Sequence, residues 1–292
     1  MKFDRYVRRK ILSHSIAVAT GLCVVAVLYP LFSVVYSAVT LGGGVLFQAT
    51  FLTAVPPNAC SAISCNTVGI GPDIQGSFIL VGLASLISVP VGVFAAIFAS
   101  EYRTRGVGRA ISFTADVLTG VPSIIMGVFI FSYFLLYNPL DVYSAFTGAL
   151  ALSAIMIPIV TRTAEEALRT VPDTMREAAL ALGISKWKAT LRITLVTALP
   201  GVATGVLLAV MRATGEAAPL LFTAFGSTFY FQGFDHPVAA LPLLIFDFAT
   251  SSYPNLQKVA WGATLFLLIA ILLANIGTRY MIHRLGRQMT GG

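Results

Sequence analysis

Apolar runs of about 20 residues, the length that crosses the hydrocarbon core of a bilayer, recur six times along this 292-residue chain. They fall at about 14–39, 77–99, 111–136, 144–161, 198–222 and 260–282. In lipid every backbone N–H and C=O must be bonded inside the protein, so runs of this kind read as helices. The expected fold is all-α: a polytopic membrane protein with six transmembrane helices in a single domain over 1–292. Composition agrees, with 57% hydrophobic and only 11% charged residues, against about 25% charged in a soluble domain. Mean hydropathy is +0.86.

The distribution of Lys and Arg sets the orientation. The amino terminus holds Lys2, Arg5, Arg8, Arg9 and Lys10, and residues 41–76 hold none. Residues 98–110 hold Arg103, Arg105 and Arg109, and 137–143 again none. Residues 162–192 hold Arg162, Arg169, Arg176, Lys186, Lys188 and Arg192, whereas 223–258 hold only Lys258. The tail carries Arg279, Arg284 and Arg287. Basic and bare connections alternate throughout, which places both termini and the 162–192 loop in the cytoplasm. The formal charge of +7 follows this topology and gives no nucleic-acid signal. The first run is longer than the apolar core of a secretory signal and is followed by further spans, so it reads as an uncleaved helix.

Recognisable catalytic motifs are missing from the sequence. It has no GxxxxGK[ST] phosphate loop, HExxH or GxSxG motif, so neither nucleotide hydrolysis nor metalloprotease or serine-hydrolase chemistry has a local basis. His14, His236 and His283 are scattered. Cys23 lies in the first run as packing, while Cys60 and Cys65 lie in the bare loop 41–76, as two free thiols or a disulfide. That loop, rich in Gly, Pro, Asn and Ser, reads as irregular cover. In 223–258 an apolar piece broken by Pro242 is too short to span. It reads as an interfacial or re-entrant helix, serving either as an aromatic headgroup anchor or as a lid over a pathway.

The charged stretch 162–192 reads as two short helices. Pro172 suits a first helical turn, Asp173 and Glu177 add negative charge near it, Gly183 can end the helix in the left-handed conformation, and Ser185 can cap the next. The apolar run Ala178–Leu182 would leave this knob sticky, which implies a partner surface. Glu177-Ala178-Ala179, three residues, Gly183, nine residues, then Ile193-x-Leu195 resembles the cytoplasmic loop by which permeases of ABC importers dock on their ATPase subunits. The family's Pro directly after Ile-x-Leu is replaced by Val196, with the next Pro at Pro200.

The fifth run carries charge. If one helix extends from about Pro200 to Phe222, Arg212 lies twelve residues in, about 18 Å along it and near mid-membrane. Gly201, Gly205, Leu208, Arg212, Gly215, Glu216 and Pro219 recur at spacings of three and four, and are expected on one face. Arg212 and Glu216, at i and i+4, can pair. Either they form a closed structural pair or Arg212 draws an anion along a pathway that Glu216 helps to orient. Asp116, in the third run, is either a solvated end residue or a partner for Arg109 or Arg105.

The stretch Arg212-Ala-Thr-Gly-Glu-Ala-Ala-Pro-Leu-Leu-Phe222 is similar to the signature of phosphate-importer permeases of the PstA type. Gly120-Val-Pro-Ser-Ile-Ile-Met-Gly127, Ala240-Leu-Pro-Leu-Leu-Ile245 and Ala99-Ser-Glu101-Tyr102 resemble other parts of that family, and the match covers about 77–282. The resemblance implies a type I importer permease in a prokaryotic inner membrane. It also implies a heterodimer with a second permease, two ATPase subunits that hold ATP and Mg, and an extracytoplasmic phosphate-binding protein. No cofactor is expected on this chain itself. Arg212, Gly215, Glu216 and Pro219 are expected on the substrate pathway, and Glu177, Ala178, Ala179, Gly183, Ile193 and Leu195 at the ATPase. Charge alone leaves molybdate, tungstate and sulfate as alternative cargoes. An ion-coupled secondary transporter would need no Glu177 knob, and a non-transporting scaffold no Arg212.

Overall fold

The computed structural model describes residues 2–57, 69–102, 106–137 and 142–290, with side chains described from 8 to 280. Cys60, Cys65, Arg103 and Arg105 lie outside the described residues. The elements in order are α1 (Lys2–Leu46), α2 (Gly71–Glu101), α3 (Gly106–Thr119), α4 (Ser123–Tyr137), α5 (Ala145–Arg169) and α6 (Asp173–Ala181). There follow α7 (Lys186–Ala189), a π-helical turn (Thr190–Thr194), α8 (Leu195–Thr214), α9 (Leu220–Thr223), α10 (Leu241–Thr250) and α11 (Pro254–Thr290). Among the described residues the only extended pairing is an isolated bridge between Phe225 and Val238. Among the described residues five helices are long and apolar enough to cross a membrane, and the pair α3–α4 makes a sixth span if counted as one.

The centre of the bundle is the contact between α2 and α5. Along α2 the buried residues Leu80, Ala84, Ser88, Gly92 and Ala96 recur every four positions, a ridge of mostly small side chains along one helix face. Small residues let helix backbones approach closely, which drives association where lipid supplies no hydrophobic gain. At Gly92 the approach is closest, since a Cβ there would lie 2.7 Å from Val160 Cγ1. On α5, Ala149, Leu152, Met156, Val160 and Ala164 face this ridge and are buried. Helix α8 packs on both α5 and α2, while α1 runs along α11. Most of α1 makes no buried contact within the chain.

The third run differs from the expected single span over 111–136. It is two helices, α3 and α4, meeting at 103°. The break lies at Gly120-Val121-Pro122. Pro122 has no N–H and pushes Val121 away from helical backbone, and the Gly120 N–H bonds back to Asp116 and Val117 carbonyls to close α3.

The segment 223–258 differs too. Pro242 does not break the apolar piece but begins it, in the first turn of α10, where its missing N–H costs nothing. The Leu241 N–H donates to Ser77 Oγ of α2 at 2.8 Å, a cap supplied by tertiary contact. Irregular residues 224–240 fold over the start of α5. The N–H groups of Ser144, Ala145 and Phe146 donate to the carbonyls of Thr223, His236 and Phe234, and Ser144 caps α5 by accepting from the Thr147 N–H at 3.1 Å. Phe51, in the turn after α1, is fully buried against Gly262 of α11. The bare loop is therefore anchored at that point.

Candidate functional site

Arg212 does not sit inside an uninterrupted helix. α8 ends at Thr214, and the residues expected on one face through Phe222 divide between α8, a turn and α9. The turn closes when the N–H groups of Gly215 and Glu216 donate to the Arg212 and Ala213 carbonyls, and Pro219 begins α9. Gly201 and Gly205 press on Ala167 and Thr163 of α5, and Gly205 lies within a buried stripe that includes Ala198, Val202, Ala209 and Ala213. Leu208 and Arg212 lie at the margin of that stripe and stay exposed, the Arg212 side chain at 55%.

The ion pair itself forms, with Arg212 Nη2 lying 3.2 Å from Glu216 Oε1, and the Glu216 side chain is only 17% exposed. Glu216 occupies the turn, so the pair bridges the helix end instead of lying along a helix. A cation in a last turn also meets the negative end of the helix dipole. The guanidinium has five N–H donors and meets Glu216 through one oxygen. The arrangement can therefore hold a further anion without giving up the pair. Pro219 is buried and packs on Gly127 of α4, where a Cβ would lie 2.5 Å from Pro219 Cα. Phe131 of α4 meets Phe222 of α9 edge-on at 6.4 Å. The Gly120–Gly127 and Arg212–Phe222 stretches, far apart in sequence, thus form one packed unit around the break after α8.

The second candidate region is the knob at the opposite end. α5 continues to Arg169, so 162–169 is helix and the irregular part begins later. Pro172 precedes α6 as its cap residue, and Ser185 precedes α7 without a side-chain cap bond. Gly183 has φ +79°, and the N–H groups of Gly183 and Ile184 bond back to the Leu180 and Ala179 carbonyls, as a left-handed helix stop requires. Ala179 is buried, whereas Glu177 and Ala178 are exposed. Ile193, in the π-helical turn, and Leu195 are half-buried, with Leu195 against the core of Ala96, Ala164 and Leu168. Met175, Leu180, Leu182 and Trp187 leave a strongly apolar outer face, Leu182 at 81% exposure.

The knob is fastened to the end of α2. Glu101 pairs with Arg176 at 3.6 Å and with Lys186 at 3.5 Å. Lys186 lies over the Tyr102 ring at 4.6 Å, and Arg176 donates to the Leu168 carbonyl at 3.1 Å. A further ionic network behind it was not expected. Glu165 is fully buried and pairs with Arg162 at 2.8 Å and with Arg169, and it accepts from Ser112 Oγ of α3 at 2.7 Å. Arg162 also holds Asp116 of α3 at 2.6 Å. The partner of Asp116 is therefore Arg162, not Arg109. The i+3 and i+7 spacing of Arg162, Glu165 and Arg169 was visible in the sequence, but the shared contact with α3 was not.

A bundle of apolar helices joined by a broken span, with a polar turn inside and a latched apolar knob at one end, defines a membrane permease. The chain belongs to the family described as "Binding-protein-dependent transport system inner membrane component", whose model matches residues 88–291. It is a membrane-spanning transport subunit, not an enzyme. Among its relatives, "Phosphate transport system permease protein PstA" of Xylella fastidiosa (strain Temecula1 / ATCC 700964) is 42% identical over 217 residues, 74% of this chain and 75% of that protein. The protein of the same description from Yersinia pestis is 37% identical over 260 residues, 88% of this chain and 85% of that one. "Phosphate transport system permease protein PstA 1" of Mycobacterium tuberculosis (strain CDC 1551 / Oshkosh) is 39% identical, over 71% of this chain and 68% of that one. The fold resembles a chain of a bacterial alginate ABC transporter crystallised with a periplasmic protein bound to alginate pentasaccharide. That match has a TM-score of 0.64 at 13% identity, over 96% of both chains. It also resembles a chain of the MetNI methionine ABC transporter, with a TM-score of 0.57 at 16% identity over 74% of this chain and 94% of that one.

Proposed function

We propose that this chain is the permease subunit that carries inorganic phosphate inward across a prokaryotic cytoplasmic membrane, by alternating access driven by ATP hydrolysis on separate subunits. The observation that carries the reading is the exposed Arg212, held by Glu216 in a turn that packs through Pro219 on Gly127. An Arg in a membrane-spanning segment is costly in lipid, so it belongs on a protein-lined path or interface. Its planar fork matches two oxygens of a phosphate. Gly215 shapes that turn. The relatives named for phosphate transport support this cargo over molybdate, tungstate or sulfate.

The exposed position of Arg212 on a single chain fits a path completed by a second, homologous permease in a heterodimer. The knob, with Glu177, Ala178, Ala179, Gly183, Ile193 and Leu195, is the docking element for one of two ATPase subunits, which bind the ATP and Mg. Its exposed Leu182 and Trp187 supply apolar contact area. The Glu101 latch to α2 and the continuous run from Lys186 to Thr214 couple its movement to the turn that holds Arg212. A phosphate-binding protein delivers the cargo at the other end, and the Lys and Arg bias supports a cytoplasmic side for both termini and the knob. The test is uptake of labelled phosphate by vesicles containing the assembled transporter. Competition by unlabelled phosphate but not by equal sulfate or molybdate is expected, and equal competition by sulfate overturns the cargo assignment.

A further inference from the structure

At the end of the bundle opposite the knob, α10 and the irregular residues before it enclose a cavity of about 720 Å³ against the first turn of α2. It lies well away from the Glu101 latch. Asp73 lines it, is 3% exposed, and its Oδ2 has no hydrogen-bond partner. A buried carboxylate oxygen without a partner is costly, so a donor brought to it from outside is favoured. Asp247 of α10 adds a second carboxylate, and no Lys, Arg or His is among the lining residues. The rest is largely aromatic and apolar. Phe225, Phe229 and Phe246 form a rim and are each at least half exposed. Phe225 holds a left-handed backbone, φ 58°, which a bulky residue adopts only when its surroundings impose it.

Carboxylates repel an oxyanion, so this cavity is not a second site for the transported anion. A metal ion needs several oxygen ligands at short range, and no group of three or more His, Cys, Asp or Glu able to hold one occurs among the described residues. A buried acid behind exposed aromatic rings instead suits an ammonium or guanidinium on an apolar stem, which gains a charge-assisted bond at the base and cation–π contact at the rim. Exposed aromatic rings around one desolvated charge are also how protein interfaces concentrate their binding energy. Resting on the importer reading above, we infer that the cavity is a socket for a Lys or Arg side chain of the extracytoplasmic binding protein, with Asp73 as the charge that receives it.

The test is the affinity of the purified phosphate-binding protein of the same transport system for the complete transporter in lipid nanodiscs. Asp73→Asn is expected to weaken binding about tenfold or more, because it removes one partner of a buried charge pair. Asp73→Asn removes an unpaired buried charge, so recovery of assembled complex at the wild-type level is expected. Phe229→Ala, at the rim, should weaken binding without touching the charge. In a second arm, an impermeant maleimide reports by mass spectrometry on a Thr228→Cys thiol in the partly exposed lining, with Cys23, Cys60 and Cys65 replaced by Ser. The thiol should react in the transporter alone and be protected once the binding protein is added. Unchanged affinity in Asp73→Asn overturns the inference while leaving the importer reading intact. So does a thiol already protected without the binding protein, which would mean that the second permease covers the cavity. A wild-type transporter that captures no binding protein in any nucleotide state overturns the importer reading itself.

Discussion

At the scale of single residues, the chain concentrates charge at two places, with different consequences. Arg212 is half exposed and its partner Glu216 sits in a turn, so the pair is suited to exchange contacts. The double substitution Arg212→Met with Glu216→Leu leaves no lone charge behind. It is expected to assemble at the wild-type level and to keep ATP hydrolysis, but to lose phosphate uptake. Arg212→Lys should keep only part of it, since the point charge remains and the fork does not. Initial uptake per assembled complex measures both, and near wild-type uptake by the double variant would make the pair mere scaffolding. Glu165 is the opposite case, with a fully buried carboxylate serving Arg162, Arg169 and Ser112 together. Glu165→Ala strands Arg169 and leaves Arg162 with Asp116 alone, and should lower stability by about 3 kcal/mol, whereas Asp116→Asn, whose side chain is more than half exposed, should cost about 1 kcal/mol or less. Thermal unfolding in detergent compares the two, and equal losses would show that the network is not centred on Glu165.

At the scale of elements, the knob depends on one backbone conformation. Nothing lies within 4 Å of a Cβ placed on Gly183, so the φ of +79° is the whole constraint there. Gly183→Val should cost about 1–2 kcal/mol locally for its left-handed backbone and release the ATPase subunits on purification. Gly183→Asn, which tolerates that conformation, should keep them. Retention of the ATPases by the Val variant, with hydrolysis still coupled to uptake, would place docking elsewhere. The break between α3 and α4 is an element-scale feature as well. It directs α4 toward α9, where Gly127 receives Pro219, and it leaves α3 free to join α5 through Ser112 and Asp116. A straight span could not make both contacts.

For the whole molecule, sidedness is the property on which every other assignment depends. In a background with Cys23, Cys60 and Cys65 replaced by Ser, an impermeant maleimide should label Asp235→Cys from outside intact cells. Lys188→Cys should label only after lysis. Both positions are exposed in the chain, so a missing signal does not report burial within it, and stripping the ATPase subunits after lysis removes their cover from Lys188→Cys. The reverse pattern would invert the topology and with it both partner surfaces. Much of the apolar surface of α1 and α11 is exposed, as expected of helices that meet lipid or a second subunit.

The amino-acid sequence determined what the membrane itself enforces. Where hydrocarbon forbids unsatisfied backbone, hydropathy alone marks the runs that become helices, and the loop charges set the sidedness to be expected. Local stereochemistry was legible as well: Pro172 before α6 and the left-handed Gly183 after it follow from ring closure and the missing Cβ. The Arg212–Glu216 pair was legible as a spacing, although the helix that was to carry it ends two residues after Arg212. What only the tertiary structure decided are contacts between residues distant in sequence. Asp116 finds Arg162 instead of Arg109, Ser77 caps a helix that begins at Leu241, and Gly127 meets Pro219. Asp73 Oδ2 is left without a hydrogen-bond partner in a cavity lined largely by residues 225–248. None of these leaves a periodic trace, because hydropathy reports the medium around a helix, while a helix end, an ion pair or a cavity depends on which neighbour arrives.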